Sequence, residues 1–112
     1  MGTAIPEIDW KYLRSVQAEL FSSLCERING KAMKILQSVE MSEGDKYRAL
    51  YQHMLNSDKI VAECFDDWRR SNIWLKMVML HRNSLLTEKY IGHLSDETKT
   101  LLKTVTQLSK KK

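Results

Sequence analysis

The chain has 112 residues, 29% of them charged and 43% hydrophobic, with four glycines, one proline and a formal net charge of +4 at pH 7. This composition describes one folded domain, able to bury roughly 65% of the surface its unfolded form exposes, and excludes a disordered chain. The charge does not mark a nucleic-acid binder: residues 1–56 hold seven basic and seven acidic side chains, residues 57–112 hold eleven and seven, and Lys110, Lys111 and Lys112 supply three of the surplus four.

Residues 1–8 are expected to form an irregular lead-in, with Pro6 stopping anything helical before it and Asp9 offering a cap to the first helix. From Trp10, apolar positions recur at Leu13, Val16, Leu20, Phe21, Leu24, Ile28, Ala32, Ile35, Leu36 and Val39. Steps of three and four define one helical face. At 1.5 Å per residue such a helix is a rod of roughly 45 Å, longer than a compact globule of about 13 to 14 Å radius of gyration contains, so part of it needs another surface. Asn29-Gly30 interrupts the pattern, but the stripe keeps its phase across it, which favours a continuous or slightly bent helix. The stop is placed at Ser42-Glu43-Gly44-Asp45, where Gly44 can take a positive φ and Ser42 or Asp45 can cap the next helix.

The second helix is expected from Asp45 to Cys64, with Tyr47, Leu50, Tyr51, Met54, Val61 and Phe65 on one stripe and a polar middle at Asn56, Ser57 and Asp58. Two long amphipathic helices joined by a short turn make a helical hairpin. So long a hairpin leaves apolar surface uncovered, and a two-fold dimer covers it with the same stripe of a second copy. The seam is assigned to Leu20, Leu24, Tyr47, Leu50, Tyr51 and Met54.

The stretch from Phe65 to Leu80 holds two of the three tryptophans beside an acidic and a basic pair. It is expected to form a core helix starting near Asp66 or Asp67 and ending around His81 to Ser84, its apolar second half buried. Adjacent helical residues point about 100° apart, so Asp66-Asp67 reads as a cap rather than a metal pair. Arg69 and Arg70 either pair back to these acids or face a partner; with Trp68 and Trp74 they are the candidate partner-binding residues. Met77 to Met79 is read as core filler. Leu85 and Leu86 then lead into a short Thr87 to His93 segment broken by Gly92. Ser95 caps a last helix carrying Leu94, Leu101, Leu102, Val105 and Leu108, with Asp96 and Glu97 at its start and lysines at its end, as the helix dipole prefers. The expected fold is all-α and dimeric: a hairpin stalk over residues 9–64, a small helical head over 66–108 and a basic tail at 109–112.

No glycine-rich phosphate loop, Cys-x-x-Cys or His-Glu-x-x-His occurs, and His53, His81 and His93 fall on different elements. No catalytic, cofactor-binding or metal-binding residue is therefore expected, and no enzyme. Cys25 and Cys64 lack metal-ligand spacing and read as reduced core or interface residues. No segment approaches the eighteen apolar residues of a membrane span, Met1 to Pro6 lacks the features of a signal peptide, and Pro6 spoils a myristoylation motif at Gly2. A cytoplasmic location is expected.

The order of these features resembles the fluorescence recovery protein family. The likeness is carried by Leu20-Phe21 and Arg27 before Gly30, by Leu50, by Phe65-Asp66-Asp67 ahead of an apolar run, and by Leu94-Ser95-Asp96 opening the terminal helix. It covers residues 16–108. The resemblance implies an all-helical, non-enzymatic homodimer; cyanobacterial members bind the orange carotenoid protein and speed its red-to-orange reversion. Those members carry a Trp, His, Asp and Arg in the second helix where, counted back from Phe65-Asp66-Asp67, this chain has Arg48, Tyr51, Gln52 and Asp58. The expectation is a relative that keeps the dimer scaffold and regulates a different protein. The alternative from another class is a small helical nucleic-acid binder using the basic C-terminal half, which requires binding that falls steeply with salt.

Overall fold

The computed structural model describes residues 5–110, with side chains from Ile5 to Thr106. The Leu108 side chain and the Lys110 to Lys112 tail side chains lie outside the described set. All regular structure among the described residues is helical: α1 Glu7–Leu36, α2 Glu43–Phe65, α3 Ile73–Arg82, α4 Glu88–Ile91 and α5 Asp96–Lys110.

α1 starts two residues before Asp9. The Pro6 carbonyl accepts from the amides of Asp9 and Trp10, at 3.0 and 3.2 Å, so Pro6 occupies the cap position and Asp9 sits inside the first turn. The helix passes Gly30 unbroken; a Cβ there would meet nothing within 4 Å, so this glycine serves no close crossing within the chain. α1 ends at Leu36, before Val39. Ser38 Oγ accepts from the amides of Glu40 and Met41, drawing the backbone into a turn that leaves Val39 97% exposed in the connection. Ser42 caps α2 by accepting from the Asp45 amide at 3.1 Å. Gly44 falls inside this first turn, and its expected positive φ is absent.

The Phe65 to Leu80 stretch is not one helix. Asp66 closes the C-terminus of α2, Asp67 takes a left-handed φ of 58°, and α3 begins only at Ile73. Asn72 holds the intervening loop: its Oδ1 accepts from the Arg69 amide at 2.9 Å and its Nδ2 donates to the Asp67 carbonyl at 2.8 Å. The acidic pair thus ends one helix instead of capping the next, and the expected start near Asp66 or Asp67 is corrected to Ile73. Gly92 and Ser95 behave as read. Gly92 follows the last residue of α4, and Ser95 receives the Thr98 amide on its hydroxyl and the Lys99 amide on its carbonyl.

Leu13, Leu20, Cys64, Ile73, Met77, Leu80, Leu86 and Leu102 form the centre of one core, which joins the first two thirds of α1 to the end of α2 and to α3 through α5. Three helix ends in this region are completed by charges borrowed from other elements, which matters because terminal N–H and C=O groups have no intrahelical partner. Lys76 of α3 donates to the Ala62 and Glu63 carbonyls at the end of α2, both at 3.1 Å. Arg27 of α1 donates to the Asn83 and Ser84 carbonyls behind α3, both at 2.6 Å. Asp9 of α1 accepts from Ser95 ahead of α5.

Away from this core, no residue between Leu24 and Ser57 is buried. The molecule measures 52 × 31 × 25 Å with a radius of gyration of 16.8 Å, against about 13 Å for a compact chain of this length.

Candidate interaction surfaces

The outer part of the hairpin has its amphipathicity reversed. On α2, Lys46, His53 and Ser57 are sheltered: Ser57 is buried with its hydroxyl on the His53 carbonyl at 2.8 Å, and His53 Nε2 donates to the Ile28 carbonyl of α1 at 2.9 Å. Tyr47 and Tyr51, 69% and 59% exposed, point to solvent and stack on each other with ring centroids 6.4 Å apart. Met54 and Leu55 on α2, and Met33 and Leu36 on α1, are exposed as well. Helical spacing puts Tyr47, Leu50, Tyr51 and Met54 on one stripe, and Leu50 is half-buried at its inner edge.

Leu20 and Leu24 do not belong to that surface. They are 0% and 4% exposed within the single chain and sit in its core, so they have no area to offer a second copy. The sequence puts them on the same α1 stripe as Ile28 and Ile35, but the C-terminal helices cover only the earlier part of the stripe.

The four residues expected at a partner surface divide. Trp68 is half-buried, donates its indole N–H to the Cys64 carbonyl at 2.7 Å and stacks on Phe65 at 6.1 Å. Phe65 meets the exposed Phe21 edge-on at 5.3 Å, giving an aromatic column from α1 to the loop. Arg69 is exposed and ion-paired to Asp67, whose carboxyl this hydrogen bond holds below the usual carboxylate range. Arg70 is committed elsewhere, bonding the Glu7 carboxylate and, at 3.0 Å, the Ile5 carbonyl. Trp74 is half-buried against the core, beside the exposed Leu75. The structure thus brings Trp68 together with Phe21 and Phe65, and turns Arg70 and Trp74 towards their own chain.

Further contacts of α1 were not legible as a site. Tyr90 donates to the Glu19 carboxylate, with Lys89 Nζ 3.3 Å from the same oxygen. The Tyr90 hydrogen bond, then the Lys89 one, lowers the Glu19 pKa; that same bond, helped by burial, raises the Tyr90 phenol. Tyr12 stacks on His93 at 5.1 Å. Cys25 and Cys64 are free thiols; burial pushes the Cys64 thiol up, and Glu63 adds to it. Among the described residues no group of three His, Cys, Asp or Glu could hold a metal ion, and no helix is long and apolar enough to cross a membrane.

No protein-family model, no curated protein and no solved structure matches the chain.

Proposed function

We propose that the chain works as a non-enzymatic homodimeric regulator that binds another protein, with the outer hairpin as its dimerising stalk and α3 to α5 as its head. The observation that carries this reading is the reversed face of α2, where Tyr47, Tyr51 and Met54 face water while Lys46, His53 and Ser57 are sheltered. Burying an apolar side chain fully is worth about 1.5 to 3 kcal/mol, whereas association itself costs about 4 to 15 kcal/mol. A two-fold axis counts each exposed residue twice, so the seven apolar side chains from Met33 to Leu55 that are exposed in one chain become fourteen in the pair. A heterologous contact would use each only once.

The likeness to the fluorescence recovery protein family supports the same arrangement. The partner is proposed to differ from the orange carotenoid protein, because Arg48, Tyr51, Gln52 and Asp58 stand where cyanobacterial members carry their second-helix functional residues. Partner binding is assigned to the junction of Phe21, Phe65, Trp68 and Arg69, with Arg70 and Trp74 holding that junction in place. The proposed location is the cytoplasm.

Light scattering after size-exclusion chromatography at micromolar concentration should return twice the 13.1 kDa chain mass. The pair Tyr47→Lys and Tyr51→Lys should return the single mass with unchanged helicity. A wild-type monomer at that concentration would sink the proposal.

A further inference from the structure

Where the end of α3 meets α4 and α5 the surface opens into a cleft of about 560 Å³, which shares His81, Glu88, Ile91 and Thr106 with an adjoining hollow of about 300 Å³. Volumes of this order are those of small-molecule sites. The cleft lies on the core region, away from the bare face of the hairpin, and neither the dimer nor the aromatic junction uses it.

The lining is two-sided in character. Ile91, half-buried and common to both hollows, gives an apolar floor, packed against the core that holds Val78, Leu86 and Leu102. The rim carries Arg82, Lys99 and Lys103 against one carboxylate, Glu88, an excess of two positive charges. Among the described residues, Arg82 and Lys103 take part in no ion pair. Lys99 has only a 3.9 Å contact with a fully exposed Asp96, the kind of pair that contributes little.

The α3 dipole accounts for Arg82, a cation in the last turn of its helix. It does not account for Lys99, in the first turn of α5, where the dipole favours negative charge, nor for Lys103 at the middle of that helix. Two helices therefore bring three cations to the rims of two adjoining hollows that share Glu88 as their carboxylate.

We propose that this cleft binds a small amphipathic organic anion, with an aliphatic body on the Ile91 floor and a carboxylate at the Arg82 and Lys103 rim. The apolar floor gives affinity for the body. The rim selects the sign of the head group.

The test is a titration of the full chain with octanoate, followed residue by residue in amide NMR spectra, beside a titration with octyltrimethylammonium, which has the same chain length and opposite charge. Octanoate should saturate at one per chain and shift the amides of residues 78–91 and 99–106. The cation should bind about tenfold more weakly. The double variant R82E and K103E changes two exposed side chains and should reverse that order while the amide spectrum stays dispersed. Equal binding of the two amphiphiles, shifts confined to residues 28–57, or an unchanged preference in the double variant would each overturn the proposal.

Discussion

Asp9 and Ser95 lie 86 positions apart, yet the Asp9 carboxylate accepts both the Ser95 amide, at 2.8 Å, and the Ser95 hydroxyl, at 2.7 Å. Thr98 adds its own hydroxyl at 2.5 Å, and Asp9 is 1% exposed. A residue of the first helix thus supplies negative charge at the N-terminus of the last. Asp9→Ala would strand buried donors, at a cost of about 1 to 3 kcal/mol each where water cannot replace the acceptor. A total loss of about 2 to 4 kcal/mol is expected in urea unfolding, and Ser95→Ala added to Asp9→Ala should cost only the cap that the Ser95 hydroxyl gives the Thr98 amide, about 1 kcal/mol, because the Asp9 contact is already gone.

Arg27 performs the opposite service at the end of α3, where its fork spans two successive carbonyls. Lysine keeps the charge but cannot hold both acceptors in one plane. Arg27→Lys should lose about 1 kcal/mol and Arg27→Ala about 1 to 2. Hydrogen exchange should speed selectively in the last turn of α3, and uniform acceleration through α1 would argue against a local cap.

The burial difference between Leu20 and Tyr51 separates folding from association. Leu20→Ala opens the core of each chain and should cost about 2 to 5 kcal/mol at every protein concentration. Tyr51→Lys should leave the dilute chain's stability nearly unchanged while removing the rise of the melting temperature with concentration that a dimer shows. Melting curves over a hundredfold dilution distinguish the two.

Gly30 offers a gain. It lies inside a helix with open space around it and no positive φ, so Gly30→Ala should stabilise the chain by about 1 kcal/mol. Thermal unfolding of the dilute chain checks this, and a gain there that turns into a loss at high protein concentration would mean that a neighbouring chain approaches Gly30 closely.

The Glu19 and Tyr90 pair predicts loss of stability at both ends of the pH scale. Glu19 has a lowered folded pKa, so its contribution is present above the ordinary carboxylate range and disappears as acid titrates it. Tyr90 has a raised folded pKa, so its contribution is present below the ordinary phenol range and disappears as pH climbs through the folded value. In Tyr90→Phe the alkaline fall should become shallower and the acid fall should shrink as well. Unfolding midpoints across the pH range measure both limbs.

Periodicity alone was enough to place both long helices, the Ser42 and Ser95 caps, and the buried run of Ile73, Met77 and Leu80. It failed between Phe65 and Ile73, where charged and aromatic residues read as a helix but Asn72 offers the backbone competing hydrogen bonds. It also could not separate Leu24 from Met54, since a stripe does not reveal where covering helices stop. Asp9 and Arg27 were invisible as anchors because their partners lie 56 to 89 positions away. Of the aromatic column only Trp68 was singled out in the sequence; Phe21 and Phe65 read as stripe positions of α1 and α2, and nothing in residue type told which arginine the chain keeps for itself.

The placement of receptors on α1 also orders events during synthesis. α1 carries Asp9, Glu19 and Arg27 and is made before the groups they bind, in Asn83, Tyr90 and Ser95. Until then the apolar flank of α1 at Leu13 and Leu20 lacks the cover of α3 to α5. A chain stalled before Ile73 therefore leaves part of that flank open to chaperones and proteases until α3 to α5 are made.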